Sequence, residues 1–255
     1  MTSADNGSGT EALAIRGLRA TYVERGRELL VLDGIDLTVG QGEFVAIIGP
    51  SGTGKSTLLD AVAGLFEPQA GEIALDGVVL TARERLGRSS YMKQRDLLLP
   101  WRDVVANAAV SLEAAGVGRR EARARARARL PEFGLAEFAH AYPAQLSGGM
   151  RQRVAFLRTI LAGHPLLLLD EPFGALDAFT RAAMQDWLMA RIAAGGQSVL
   201  LVTHDVDEAL LVADRVVALS PRPAQIELVV PVSRPRPRGH AFVASPEFAA
   251  LRREL

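Results

Sequence analysis

The 255-residue chain contains no cysteine. Disulfides, cysteine-ligated zinc and iron–sulfur clusters are therefore excluded, and a cytosolic setting is compatible. Nor is there an excess of either charge: 29 Lys and Arg stand against 29 Asp and Glu. No global basic field points to nucleic acid, and no nucleic-acid partner is expected. No apolar run approaches the roughly 18 residues a membrane-crossing helix needs. Met1 to Thr10 is small and polar, reads as a disordered tail, and carries no basic-then-apolar leader. The expectation is a chain made and kept in the cytoplasm, reaching a membrane only by docking on another protein. Internal repeats and sustained heptads are also lacking.

The apolar content, 49%, suffices for a real core, and the length fits one compact α/β domain or one with an inserted subdomain. From Leu13 to Val39 short β-like runs alternate with turn residues such as Asp33-Gly34. Phe44 to Ile48 reads as a buried strand. Glu72 to Leu75, Asp76-Gly77 and Val78 to Leu80 form a hairpin pattern, and Ser89 to Met92 a further strand. Arg102 to Ala139, rich in Ala, Arg, Glu and Leu, predicts a cluster of helices. The alternation of Ala and Arg from Arg123 to Arg129 fits a solvated helix, with contact to acidic lipid or a partner as the alternative. Buried strands return at Leu166 to Leu169 and Ser198 to Val202, with helices at Ala178 to Ala194, ended by Gly195-Gly196, and Val206 to Ala213. Val216 to Leu219 and Ile226 to Val230 are the last strands. Ser233 to Gly239 reads as linker-like, and Pro246 to Leu255 as a terminal helix. Strands alternating with helices argue for a largely parallel sheet.

One stretch carries chemistry on its own. Gly49-Pro50-Ser51-Gly52-Thr53-Gly54-Lys55-Ser56-Thr57 fits G-x-x-x-x-G-K-[ST] between an apolar strand and a helical run. Glycines let the backbone wrap an anion closely. Exposed N–H groups and the positive helix end attract phosphate oxygens. Lys55 adds a full charge near the terminal phosphates, and Ser56 offers a hydroxyl to Mg²⁺.

Two further elements complete a constellation. Leu166 to Leu169 ends in Asp170-Glu171. In a parallel sheet, ligands gather at the carboxyl ends of strands. Asp170 would hold Mg²⁺ through its coordinated water, and Glu171 would polarise an attacking water as general base or positioning group. Leu146-Ser147-Gly148-Gly149-Met150 precedes a helical run, with Ser147 as natural N-cap and paired glycines leaving amides open.

With two anion-binding helix starts in this order, the chain resembles the nucleotide-binding subunits of ABC (ATP-binding cassette) transporters, from about Leu13 to Val230. The resemblance implies a P-loop NTPase: an α/β fold with a RecA-like mixed sheet, an antiparallel β subdomain and a helical subdomain inserted at about 95–148. The ATPase domain would span 12–230, after a tail at 1–11 and before a short extension at 231–255. It implies ATP and Mg²⁺ as cofactors. Tyr22 matches the aromatic residue that stacks on adenine. Gln94 matches the glutamine that senses Mg²⁺ and the γ-phosphate. His204 matches the histidine that contacts that phosphate. Ser147, Gly148 and Gly149 match the helix start that caps ATP held by another subunit. Asp177, in Ala175-Leu176-Asp177, matches the loop that crosses the dimer interface.

Lys93, and Phe156-Leu157 after the second motif, depart from the common pattern without touching the groups that do chemistry. The family further implies a homodimer or paired ATPase subunit, membrane-spanning permease subunits, and indirectly a substrate-binding protein, with the chain peripheral on the cytoplasmic face of the inner membrane. Gln94 to Trp101 and Asp170 to Asp177 look like the nitrate/sulfonate/taurine importer branch, which includes transporters of pyrimidine precursors of thiamine. Trp101 fits either a permease socket or internal packing. An exporter subunit and a non-transport ABC ATPase of the translation or DNA-repair type remain the alternatives.

Overall fold

A computed structural model describes residues 11–24, 27–193 and 197–255. The tail at 1–10 and Gly195-Gly196 lie outside the described residues. The strands are β1 (Glu11–Glu24), β2 (Arg27–Gly40), β3 (Phe44–Ile48), β4 (Ala70–Leu75), β5 (Val78–Val79), β6 (Ser89–Met92), β7 (Leu166–Asp170), β8 (Ser198–Val202), β9 (Arg215–Leu219) and β10 (Ile226–Pro231). The α-helices are α1 (Lys55–Val62), α2 (Ala82–Arg85), α3 (Val104–Ala108), α4 (Val110–Ala114), α5 (Arg119–Arg129), α6 (Gly148–Ala162), α7 (Ala178–Ala193), α8 (Val206–Val212), α9 (His240–Val243) and α10 (Pro246–Glu254).

Six strands form one sheet in the order β10-β9-β3-β8-β7-β6, and four form a second in the order β2-β1-β4-β5. In the first sheet β9, β3, β8, β7 and β6 run parallel and only β10 is antiparallel. Side chains alternate faces along a strand. Phe44, Ala46 and Ile48 of β3 join Leu167, Leu169, Val199 and Leu201 in one apolar cluster with α3, α6, α7 and α8. Val45, Ile47, Leu166, Leu168, Leu200 and Val202 enter the other, with β1, β2 and α1. Both faces of the sheet are thus covered. That is why these strands read as unbroken apolar runs and not as alternation.

The second sheet is antiparallel throughout. The short β-like runs expected between Leu13 and Val39 are two strands of 14 residues each. The turn residues that seemed to divide them sit at register shifts inside the hairpin, with Gly17 at φ 58° and Gly34 at φ 71°. Bulges absorb these residues without ending the strands. The β4–β5 hairpin turns on Asp76 and Gly77, both at positive φ, the geometry that Asp-Gly favours.

In the helical segment, Ala122 and Ala126 of α5 are fully buried while Arg119, Arg120, Arg123, Arg125 and Arg127 are exposed. The alternation is a helix with one small-residue stripe inward, since residues four apart share a face. Among the described residues, no helix is long and apolar enough to cross a membrane.

The segment that reads as linker-like is part of the packed structure. Arg238 is only 2% exposed. Its guanidinium donates to the carbonyls of Val232, Arg234, Leu210 and Ala213, closing the end of α8. Arg236 pairs with Asp214 at 2.9 Å, and Phe242 meets Phe248 edge to face. Composition suggests a free extension because the hydrogen-bond partners of Arg238 are backbone carbonyls, which leave no mark in sequence. Arg238→Ala removes the donors and leaves buried carbonyls unpaired. We expect it to destabilise the fold by about 2–4 kcal/mol, measured by chemical denaturation.

Candidate active site

The strand order sets the site. β3, β8, β7 and β6 are adjacent and parallel, so their carboxyl ends share one edge of the sheet. The phosphate loop leaves β3, His204 follows β8, Asp170 ends β7 with Glu171 after it, and Gln94 follows β6. Residues separated by more than a hundred positions are brought together by strand pairing alone.

The loop itself is closely packed. Gly54 has φ 116°, and a Cβ there would lie 2.6 Å from Val31 and 2.9 Å from Leu32, so no larger residue fits. Lys55, 6% exposed, donates from Nζ to the carbonyls of Gly49 at 2.7 Å and Pro50 at 2.8 Å. Burial pushes its pKa down, and the nearby Glu171 and Asp170 carboxylates oppose that shift. The Thr53 hydroxyl donates to the Pro50 carbonyl, which keeps the loop wound around the lysine. Ser51, Gly52, Gly54, Lys55, Ser56, Thr57, Gln94 and Glu171 line a cavity of about 270 Å³, together with Val202 and Arg222.

Asp170 is 4% exposed, and burial drives its carboxyl above the ordinary range while a hydrogen bond with the Ser56 side chain opposes the shift. Among the described residues no three His, Cys, Asp or Glu gather to cage a metal. A Ser hydroxyl, a buried carboxylate and the Gln94 carboxamide are hard oxygen donors, the partial set that suits Mg²⁺ carried on phosphates.

Glu171 is the hub of the cavity wall. Its Oε2 accepts from Gln94 Nε2 at 3.1 Å, and its Oε1 lies 3.3 Å from His204 Nδ1. Its backbone has φ 47°, a left-handed conformation in which its N–H donates to the Val202 carbonyl at 2.8 Å. A non-glycine residue there stores on the order of 1–3 kcal/mol of strain, held by its surroundings. The kink turns the carboxylate between the phosphate loop and His204. A carboxylate placed between two polar partners at the rim of a phosphate cavity can orient or deprotonate a water.

Other expected residues are not in this cavity. Ser147 caps α6 by accepting from the Met150 N–H at 3.2 Å, and the start of α6 is exposed. Gly148 borders a neighbouring cavity with Gln94, Leu97, Leu98 and Ala175. Gly149 abuts Ala175, whose carbonyl would lie 3.4 Å from a Cβ. α6 is tied to the segment after Gln94 by Arg151, 3.0 Å from Asp96, and by Arg158, which donates to the carbonyls of Asp96 and Leu97. Asp177 accepts from the Thr180 N–H and hydroxyl, bonds that hold its carboxyl below the ordinary range and cap α7. Tyr22 is half-exposed with its ring 5.9 Å from Phe66. Trp101 is 72% exposed, so internal packing does not account for it.

Two residues were missed, Arg222 in the cavity lining and Glu208, buried on α8. Arg222 lies between two prolines in the β9–β10 loop, where a lone arginine gives no signal. Glu208, three residues after the α8 N-cap Asp205, had a capping-box spacing as its only clue. It is 7% exposed, and its Oε1 has no hydrogen-bond partner.

The phosphate loop at the head of a parallel sheet, with an acidic strand end beside it, defines a P-loop nucleotide-binding enzyme. The comparisons narrow this. Residues 32–174 match the family model described as ABC transporter. The chain is 46% identical over 246 residues to the aliphatic sulfonates import ATP-binding protein SsuB 1 of Mesorhizobium japonicum, covering 96% of this chain and 89% of that protein. It is 40% identical over 248 residues to the taurine import ATP-binding protein TauB of Yersinia pestis, covering 95% of each. The dimeric structure of MJ0796, a bacterial ABC transporter cassette, matches with a TM-score of 0.80 at 30% identity, over 87% of this chain and 99% of that one. The same cassette in a post-hydrolysis state bound to ADP and Pi matches with a TM-score of 0.79. The chain belongs to the ABC transporter family and is an ATPase of that type.

Burial, then the nearby Asp205 charge, pushes the Glu208 pKa up to about 8. The folded state therefore holds this proton at pH values where the unfolded chain has lost it. The stability tied to the neutral carboxyl is full below about pH 4 and is lost as pH rises through 8. Glu208→Gln should flatten that slope, leaving the variant more stable than the parent at pH 8.5 in paired melting curves. Equal slopes would contradict the assignment.

Proposed function

We propose that this chain is the ATP-hydrolysing subunit of an importer for small sulfonated solutes of the aliphatic sulfonate or taurine class. The reading of the solute rests on what the relatives' names state. Two copies would close head to tail over two ATP molecules. The observation that carries this is the division of the site. The phosphate cavity holds Lys55, Ser56, Gln94 and Glu171, while Ser147, Gly148 and Gly149 open outward from the start of α6 and line no part of it. A helix start with bare amides that lines no part of its own chain's phosphate cavity suits the phosphate held by a second copy. The matched cassette structure is dimeric, which suits a pairing of two copies.

Within each half, the loop from Gly49 to Thr57 would cradle the phosphates, with Lys55 as the charge on the terminal groups. Ser56, Asp170 and Gln94 would hold Mg²⁺, which when bound neutralises charge on the phosphate oxygens. Glu171 orients or deprotonates the attacking water, and His204 and Gln94 fix its carboxylate from either side. Tyr22 stacks on the base, and Asp177 stiffens the loop that meets the partner copy. Hydrolysis cuts the γ-phosphate bridge between the halves, and the clamp opens. Leu97, 52% exposed, and Trp101 offer an apolar surface beside Gln94. Permease subunits docking there, on the cytoplasmic face of the membrane, would couple opening and closing to transport. A substrate-binding protein would deliver the solute on the far side.

Glu171→Gln keeps the hydrogen-bonding shape and removes the basic oxygen. ATP turnover should fall by about 10²-fold or more while ATP binding persists, and an ATP-dependent dimer should accumulate in size-exclusion chromatography. Normal turnover in this variant would remove Glu171 from the role.

A further inference from the structure

Arg222 stands apart from the other arginines around the sheet. Arg215 pairs with Glu43 and Arg236 with Asp214, each within 3.0 Å. Arg222 has no carboxylate partner within 4.0 Å among the described residues, although it lines the phosphate cavity with Lys55, Ser56 and Glu171. Its Nε donates to the carbonyl of Gly52, inside the phosphate loop.

The loop that carries it is fixed. β9 pairs with β3, so the β9–β10 loop emerges beside the phosphate loop at the same edge of the sheet. Ala224, fully buried, donates to the Val31 carbonyl at 2.8 Å and accepts from the Asp33 N–H at 3.0 Å. Gln225 N–H donates to Ser220 Oγ at 2.9 Å across the loop. Pro221 and Pro223 restrict the backbone on either side of the arginine. The cation is held at the cavity rim by a rigid support, with little entropy left to lose on binding.

A guanidinium has five N–H donors in a planar fork. One serves Gly52, and none of the others is neutralised by an acid. That geometry matches phosphate oxygens. We propose that Arg222 is a further nucleotide-binding residue, a second cation on the phosphates that also anchors the loop through Gly52. The proposal rests on reading this cavity as the ATP site.

The test is direct binding of MgATP and ADP to the full chain by calorimetry, for the parent, Arg222→Ala and Arg222→Lys. Because Arg222 is exposed, both variants should melt with the parent. Arg222→Ala should weaken both nucleotides by about fivefold to tenfold and flatten the salt dependence of affinity. Arg222→Lys should recover only part of the loss, since it restores the charge without the planar fork. Unchanged affinity in Arg222→Ala overturns the proposal while leaving the ATP site intact. An Arg222→Ala variant that is weakened with its salt dependence unchanged also overturns it, because the residue would then act only by holding Gly52. A parent chain that binds neither nucleotide overturns both this proposal and the reading beneath it.

Discussion

Parallel pairing of β3, β8, β7 and β6 decides where the residues of the cavity can stand. Main-chain hydrogen bonds between β3, β8, β7 and β6 place four separate chain segments at one edge. The apolar clusters on both faces lock that register, because a one-residue slip would exchange the two sets of side chains. The cavity is lined by residues at and beyond those strand ends and at the start of α1. The sheet is rigid so that Glu171 can sit strained and still be positioned.

Charge at the site is arranged against burial. Lys55 and Asp170 are both nearly inaccessible, and burial moves each toward its neutral form. Isolated buried charges are costly, and partners of opposite sign recover that cost. Lys55 finds carbonyls and two carboxylates, and Asp170 finds the Ser56 hydroxyl. A cavity of this make-up, with a buried cation beside a loop of open backbone amides, suits a phosphate-bearing ligand. Arg222, without a carboxylate partner among the described residues, adds a further cation at the rim.

Much of this was legible along the chain. The phosphate loop, Asp170-Glu171 and Ser147-Gly148-Gly149 announce themselves because each needs a contiguous run of particular residue types at a strand or helix end. The β4–β5 hairpin was readable from Asp-Gly for the same reason. Gln94 and His204 were accessible only through family resemblance, since a single polar residue after an apolar strand has no pattern of its own. Their meeting at Glu171 is a product of sheet order. What stayed hidden depends on long-range backbone contacts. Arg238 finds carbonyls on α8, Arg222 finds Gly52, and β1 and β2 continue through glycines that locally read as breaks.

The proposed clamp requires each ATP to be held by the phosphate loop of one copy and the α6 start of another. Lys55→Ala disables the first half. Gly148→Asp places a negative charge at the second, where a Cβ meets nothing closer than Arg151 at 3.9 Å, so the fold tolerates it. Each variant alone should be inactive in single-turnover ATP hydrolysis. An equal mixture should recover about a quarter of the parent signal, because half of the dimers would be mixed and each would keep one intact site. A mixture no more active than its separate components would contradict the shared site.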